Sequence, residues 1–102
     1  MTVPSLKLGL IGLGNMGQNH LRVLSLLRGV EIAFVHDADR ARQARLAAMY
    51  GVPGVDDVDA AMAGLDAAVI ATPTSTHAQW VERAARHVRN IFVEKPLAGS
   101  LA

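Results

Sequence analysis

The feature that most constrains this chain is a glycine-rich turn set between two kinds of pattern. An apolar run, Leu8-Gly9-Leu10-Ile11, enters Gly12-Leu13-Gly14-Asn15-Met16-Gly17, and a helical periodicity leaves it. A strand that passes through Gly-x-Gly-x-x-Gly into a helix suits the binding of a pyrophosphate. Gly12 takes the tight turn off the strand, Gly14 lets the backbone approach a diphosphate where a Cβ would intrude, and Gly17 lets the helix lie close to the strand. The unpaired N–H groups and partial positive charge of the helix N-terminus then favour an anion without any basic side chain. The glycine pattern alone is weak evidence, since any glycine-rich connection can match it. Its context strengthens it: Asp37 stands about twenty residues past Gly17, at the end of the next apolar run, where such sites carry an acid for ribose hydroxyls.

Composition narrows the alternatives. In 102 residues there is room for one small domain, residues 1–102, short of a full six-stranded dinucleotide fold. Hydrophobic residues make up 51% and aromatic residues only 4%, so the core must be built from Ala, Val, Leu and Ile, as in parallel sheets buried on both faces. Ten basic and nine acidic residues are interspersed, for a net charge of +1, and no basic stripe with interleaved aromatics offers a surface to nucleic acid. Without cysteine there is no disulfide, thiolate nucleophile or thiolate metal site. No metal site of another kind is expected. Gly9, Gly12 and Gly14 break the N-terminal apolar run, so neither a signal peptide nor a membrane span is expected. The default is a soluble, cytoplasmic chain.

Taken in order, strand and helix patterns alternate without a linker or repeat. Strands are predicted at Lys7–Ile11, Val30–His36, Val52–Val55 (very short), Ala67–Ala71 and Ile91–Val93. The first helix is predicted from Met16 to Arg28, with Gly17, Leu21, Leu24 and Leu27 on one face and Gly29 closing it. A second, capped by Asp39, runs to Tyr50 with Ala41, Ala44, Ala47 and Ala48 inward; a third, capped by Asp56 or Asp57, carries Val58, Ala61, Met62 and Leu65. A capping box of Thr76 and Gln79 opens the fourth, which turns Ala78, Val81, Ala84, Ala85 and Val88 inward and leaves Trp80 off the stripe. Right-handed crossovers then make an α/β, doubly wound parallel sheet of the Rossmann type. Its order is 3-2-1-4-5, truncated before the sixth strand. Ligands of such sheets bind beyond the carboxyl ends of the strands where the order reverses. The glycine turn, Asp37, Thr72 to His77, and Glu94-Lys95-Pro96 all lie at strand ends.

The combination of Gly12-Leu13-Gly14-Asn15-Met16-Gly17, Asp37, Ala71-Thr72-Pro73-Thr74-Ser75-Thr76-His77 and Glu94-Lys95-Pro96 resembles the Gfo/Idh/MocA family of NAD(P)-dependent oxidoreductases. Glu-Lys-Pro after TPxxxH is its specific part. Within the family, Gly-Asn-Met-Gly-Gln-Asn-His and Thr-Pro-Thr-Ser-Thr-His look like members that oxidise nucleotide-linked amino sugars at a ring hydroxyl. The resemblance implies NAD as cofactor, with NADP the lesser candidate, and a sugar, cyclitol or sugar-nucleotide hydroxyl as substrate. It implies cofactor contacts from Gly12, Leu13, Gly14, Asn15, Met16 and Gly17, from Asp37, from Thr72, Pro73, Thr74 and His77, and from Glu94, Lys95 and Pro96. Lys95 would also be catalytic, its charge polarising the reacting oxygen near the nicotinamide. The family's second domain, with its proton-transfer Asp and His, has no counterpart in this sequence. The 102 residues alone are therefore expected to bind cofactor weakly, to turn nothing over, and to self-associate through the fifth strand or the adjacent sheet face.

Several of these residues carry a plainer reading as well. Asp37 could simply cap the next helix, Lys95 could be an exposed lysine, and His77 could be a surface histidine at a helix start. His20, His36 and His87 lack metal-ligand spacing and read as solvated or packed. Arg40, Arg42 and Arg45 read as a solvated face, with Arg40 the one that could approach a 2′-phosphate. Two other functional classes stay open: a non-catalytic dinucleotide- or CoA-binding module, and a structural fragment.

Overall fold

The computed structural model describes residues 5–94. Its elements are β1 (Leu6–Ile11), α1 (Asn15–Leu24), β2 (Val30–His36), α2 (Arg40–Tyr50), α3 (Val58–Met62), β3 (Ala67–Ile70), α4 (His77–Ala85) and β4 (Asn90–Val93). The strands pair in parallel in the order β2-β1-β3-β4. β3 and β4 are the fourth and fifth strands of the sequence reading, and the reversal falls between β1 and β3. The short strand expected at Val52–Val55 is reduced to a bridge between Val35 and Gly54. There the Val35 N–H donates to the Pro53 carbonyl at 2.8 Å and the Val55 N–H to the Val35 carbonyl at 3.1 Å. Pro53 has no N–H to extend the ladder.

Alternation along the strands separates two cores, as a sheet covered on both faces requires. Leu8, Leu10 and Ile32 pack with Leu21 of α1 and Leu46 of α2 on one side. Ile11, Phe34 and Ile70 pack with Met62 of α3 and with Trp80 and Ala84 of α4 on the other. Gly9 interrupts the β1 run because the Phe34 ring lies over it: a Cβ there would collide with the ring, and the β1–β2 register shifts between Leu8 and Gly9.

All four helices differ from the periodicity reading; α3 ends at Met62, which leaves Leu65 beyond the helix though still packed on the core. α1 stops at Leu24, where the Ser25 hydroxyl donates to the Arg22 carbonyl at 2.8 Å, and Leu27 lies exposed in the return to β2. Gly29, at φ +77°, makes that return, its carbonyl accepting from the Leu6 N–H at 2.6 Å. In α2, capped by Asp39 as expected, Gln43 and Leu46 are buried while Ala41, Ala44 and Ala48 face solvent. A Leu side chain gains far more from burial than a methyl, so it wins the inner face. In α4 the capping box does not form: a 3₁₀ turn at Thr74–Thr76 precedes the helix, and the Thr76 hydroxyl lies 2.7 Å from the Pro73 carbonyl and 2.8 Å from Thr72 Oγ1. The inner face of α4 carries Trp80 and Ala84, while Ala78 and Ala85 point out. Trp80 packs against the His36 ring with centroids 5.5 Å apart, and Arg83 covers its other face at 4.3 Å.

Asp57 caps α3 by accepting from the Ala60 N–H, and Asp59 ties that helix to α4. Its carboxylate accepts from Arg83 at 3.0 Å and lies 3.3 Å from His87. The Arg83 hydrogen bond is the main reason its carboxyl titrates below the ordinary value. A carboxyl that binds protons less well folded than unfolded contributes stability above the carboxylate range and loses it as the pH falls through that range. Asp59→Asn is therefore expected to lower the melting temperature at neutral pH by a small, salt-sensitive amount and to lose that effect in acid, which paired thermal melts across a pH series will show.

Candidate functional site

A cavity of about 480 Å³ opens at the carboxyl ends of β1, β2 and β3, within the roughly 300–1,000 Å³ range of ligand sites. The turn after β1 supplies Gly12, Gly14, Asn15 and Met16 to its wall. Gly12, at φ +102°, passes so close to β3 that a Cβ would stand 2.6 Å from the Ala71 carbonyl carbon. Gly17 is buried behind the turn, and a Cβ on it would overlap the Gly12 carbonyl. Gly14 is different. Its backbone is one that any residue adopts (φ −73°), and a Cβ on it would meet nothing within 4 Å. Neither backbone conformation nor packing requires a glycine there, and the space in front of it is open. No side chain caps α1, so the first-turn N–H groups keep their capacity for an anion.

Asp37 closes the β2 side. Its Oδ1 accepts from the Leu13 N–H at 2.7 Å and its Oδ2 from the Asp39 N–H at 2.8 Å. Arg42 stands 3.6 Å from Oδ2, and both side chains line the cavity. The capping role belongs to Asp39, which accepts from the Arg42 N–H at 3.1 Å; Asp37 instead ties the end of β2 to the glycine turn. Buried Gln43 holds the same corner, its Oε1 accepting from the Asp37 N–H at 2.9 Å. The cation near this carboxylate is Arg42, whereas Arg40 pairs with Asp56 at 3.1 Å on the surface. The sequence reading placed Arg42 on a solvated face; the signal that could have found it is its position three past the Asp39 cap, in the first turn of α2, from which a long side chain reaches back toward the end of β2.

On the β3 side Thr72 and Pro73 line the cavity, together with Ala71, Thr76 and Trp80, while His36 and Ala38 complete the β2 wall. Trp80 escaped the sequence reading because the phase of α4 depends on what the helix packs against, and His36, read there as solvated or packed, ends β2 with Nδ1 2.7 Å from the Val55 carbonyl. Other expected contacts lie around the cavity without lining it. Leu13 is buried and takes part through its backbone, its carbonyl accepting from Gln18 Nε2 at 3.0 Å. Thr74 lies exposed in the 3₁₀ turn. His77 braces the loop, with Nε2 2.8 Å from the Thr72 carbonyl. Glu94 lies at the end of β4 with its carboxylate 2.6 Å from His20 Nε2. Lys95 and Pro96 lie outside the described residues. Among the described residues no group of three acidic, histidine or cysteine side chains is placed to hold a metal ion, and no helix is long and apolar enough to cross a membrane.

Residues 6–102 match the family model for Gfo/Idh/MocA, described as an oxidoreductase family with an NAD-binding Rossmann fold. The chain belongs to that family. Its Gfo/Idh/MocA domain is 40% identical over 95 residues to an inositol 2-dehydrogenase of Rhizobium meliloti, covering 91% of this chain and 28% of that protein. It is 34% identical to the scyllo-inositol 2-dehydrogenase (NAD(+)) of Bacillus subtilis, covering 89% and 28%. The solved UDP-N-acetylglucosamine 3-dehydrogenase of Acidithiobacillus ferrooxidans superposes with a TM-score of 0.82 at 34% identity, covering 92% of this chain and 30% of that one. The chain thus spans less than a third of the length of these relatives. Parallel sheet, glycine turn and acid at the end of β2 make this Gfo/Idh/MocA domain an NAD-binding Rossmann domain.

Gly14 and Gly17 make opposite demands, and substitution separates them. Gly14→Val is expected to leave the melting temperature nearly unchanged while abolishing dinucleotide binding, because the new side chain fills the space in front of the cradle. Gly17→Val is expected to destabilise the fold by about 1–3 kcal/mol or more through overpacking against Gly12. Urea unfolding paired with NADH titration checks both.

Proposed function

We propose that this chain is the cofactor-holding part of a dehydrogenase that moves hydride between a nicotinamide dinucleotide and a hydroxyl of a sugar, cyclitol or sugar nucleotide, with NAD preferred to NADP. The observation that carries this is the pairing of the open Gly14 cradle with the Asp37 carboxylate in one cavity. A carboxylate has about four acceptor positions, and the Leu13 and Asp39 N–H groups take two of them. The remainder suit the two hydroxyls of an adenosine ribose. The backbone from Gly12 to Gly17 would hold the diphosphate, and Ala71, Pro73 and Trp80 supply an apolar wall that excludes water. What the dinucleotide adds when bound is a hydride-accepting ring.

The substrate class rests on the relatives, which are named for inositol, scyllo-inositol and UDP-N-acetylglucosamine. The groups that bind the substrate would belong to a second domain outside these 102 residues. Lys95, directly after Glu94 in the sequence, is proposed as the residue that polarises the reacting oxygen.

Cofactor preference follows from charge. A 2′-phosphate would meet the Asp37 carboxylate, whereas a ribose hydroxyl donates to it in charge-assisted bonds worth about 1.5–3 kcal/mol each. Arg42 is the neighbouring cation that a 2′-phosphate could use once that charge is gone. Asp37→Asn keeps an oxygen for the Leu13 N–H and removes the charge, so it is expected to move the NADH-to-NADPH affinity ratio about tenfold or more toward NADPH. Adding Arg42→Gln is expected to reverse the gain for NADPH. Trp80 is the single tryptophan and lines the cavity, so energy transfer to bound nicotinamide reports both titrations. Tighter NADPH than NADH binding by the unaltered chain would refute the preference.

A second copy is the partner proposed for β4. Among the described residues this strand pairs on one side only, with β3, and Phe92 is 57% exposed. An edge with that side chain outward templates pairing with another chain. Light scattering after size exclusion is expected to show concentration-dependent dimers that Phe92→Lys disperses; a monomer at high concentration would refute the pairing.

A further inference from the structure

We propose that His20 is a positioning residue: its contact with Glu94 anchors the carboxyl end of β4 to the helix that carries the diphosphate cradle. This fixes the Glu94 end of β4 on the side toward which the second half of a bound dinucleotide must extend. The inference rests on the dinucleotide reading above.

Glu94 directly precedes Lys95 in the motif that most specifically marks the family, yet its side chain does not line the cavity. It is committed elsewhere. Its backbone N–H donates to the Ile70 carbonyl at 2.9 Å, which extends the β3–β4 ladder by one step. Its Oε2 lies 2.6 Å from His20 Nε2, with both side chains 31% exposed. A contact of that length to a carboxylate is a charge-assisted hydrogen bond, stronger and more directional than a neutral one. Among the described residues no other basic side chain comes within salt-bridge distance of Glu94. Both the main chain and the side chain of Glu94 are therefore held, one by the sheet and the other by α1.

Position gives this contact its consequence. His20 is in α1, the helix whose first turn follows the Gly14 cradle. Glu94 ends the strand two places from β1, across β3. A dinucleotide with one ribose at Asp37 and its diphosphate at Gly14 has used the ends of β2 and β1. Its remaining nucleoside must extend past β3 toward β4, since neighbouring strands step about 4.8 Å apart. That is the side on which His20 joins α1 to Glu94. Without His20, the Glu94 carboxylate loses its partner and can swing over the same ground, and Glu94 is held by the sheet alone.

The proposal separates the two halves of the ligand, and so does its test. ADP carries the groups that meet Asp37 and the cradle but no nicotinamide nucleoside; NADH carries both. In the 102-residue chain, His20→Ala is expected to weaken NADH binding about fivefold, the worth of one ordinary hydrogen bond, and to leave ADP binding within twofold. His20→Gln, which retains an N–H donor at a similar reach, is expected to restore NADH affinity. Glu94→Ala in the His20→Ala background is expected to add no further loss, as for two residues acting through one contact. Parallel losses of NADH and ADP affinity would overturn the proposal and leave the pair as a structural tie, as would unaltered NADH binding in His20→Ala. If His20→Ala fails to fold, His20→Gln and Glu94→Ala carry the comparison, and equal NADH-to-ADP ratios in both and in the parent overturn it. A parent chain that binds neither ligand would instead overturn the dinucleotide reading itself.

Discussion

The close approach of α1 to the end of β1 is the contact on which the rest of this structure depends. Neither Gly12 nor Gly17 has room for a Cβ, because the turn folds back against the β3 backbone on one side and the helix presses on the turn on the other. That packing points the N-terminus of α1 across the reversal of strand order and leaves open space in front of Gly14. Dense packing immediately behind an empty cradle is what a backbone anion site requires: the N–H groups must be rigid, and nothing may stand in front of them.

Asp37 converts that local device into a site. Its carboxylate is shared between the Leu13 and Asp39 N–H groups, so the acid that would select a ribose also fixes the spacing between the turn and the β2 end. Gln43 secures the Asp37 backbone from a buried position. A substitution at Asp37 therefore acts on the geometry of the turn as well as on its charge. The isosteric amide removes the charge and keeps one of the two acceptor oxygens, so it retains the tie to the Leu13 N–H while giving up the one to the Asp39 N–H.

The β3 side is built less tightly. The 3₁₀ turn, the Thr72–Thr76 contact and the His77 brace form a local network of hydrogen bonds, while Trp80 stands between His36 and Arg83 beneath it. Asp59 reaches this group through Arg83, so side-chain contacts join α3 to α4 and to the Trp80 wall of the cavity. β4 is joined to the cradle by a different route, through His20 and Glu94. The two walls of the site are thus tied to the sheet by separate side-chain contacts on opposite faces.

Much of this was determined by the sequence itself, for reasons that act over short distances. Glycine spacing, the alternation of apolar runs, Asp39 as a cap and Asp37 at a strand end specify the parallel sheet, its order and the turn, because backbone sterics and period-two or helical burial are read from neighbouring residues. Only the tertiary structure decided the rest. The alanine face of α2 lost to Gln43 and Leu46, and Trp80 took the inner face of α4 beside His36. Arg42 rather than Arg40 came to stand beside Asp37, and His20 met Glu94 across 74 residues. Helical phase and long-range side-chain partners are set by the shape of the surface a helix packs against, and that surface exists only after the sheet has formed.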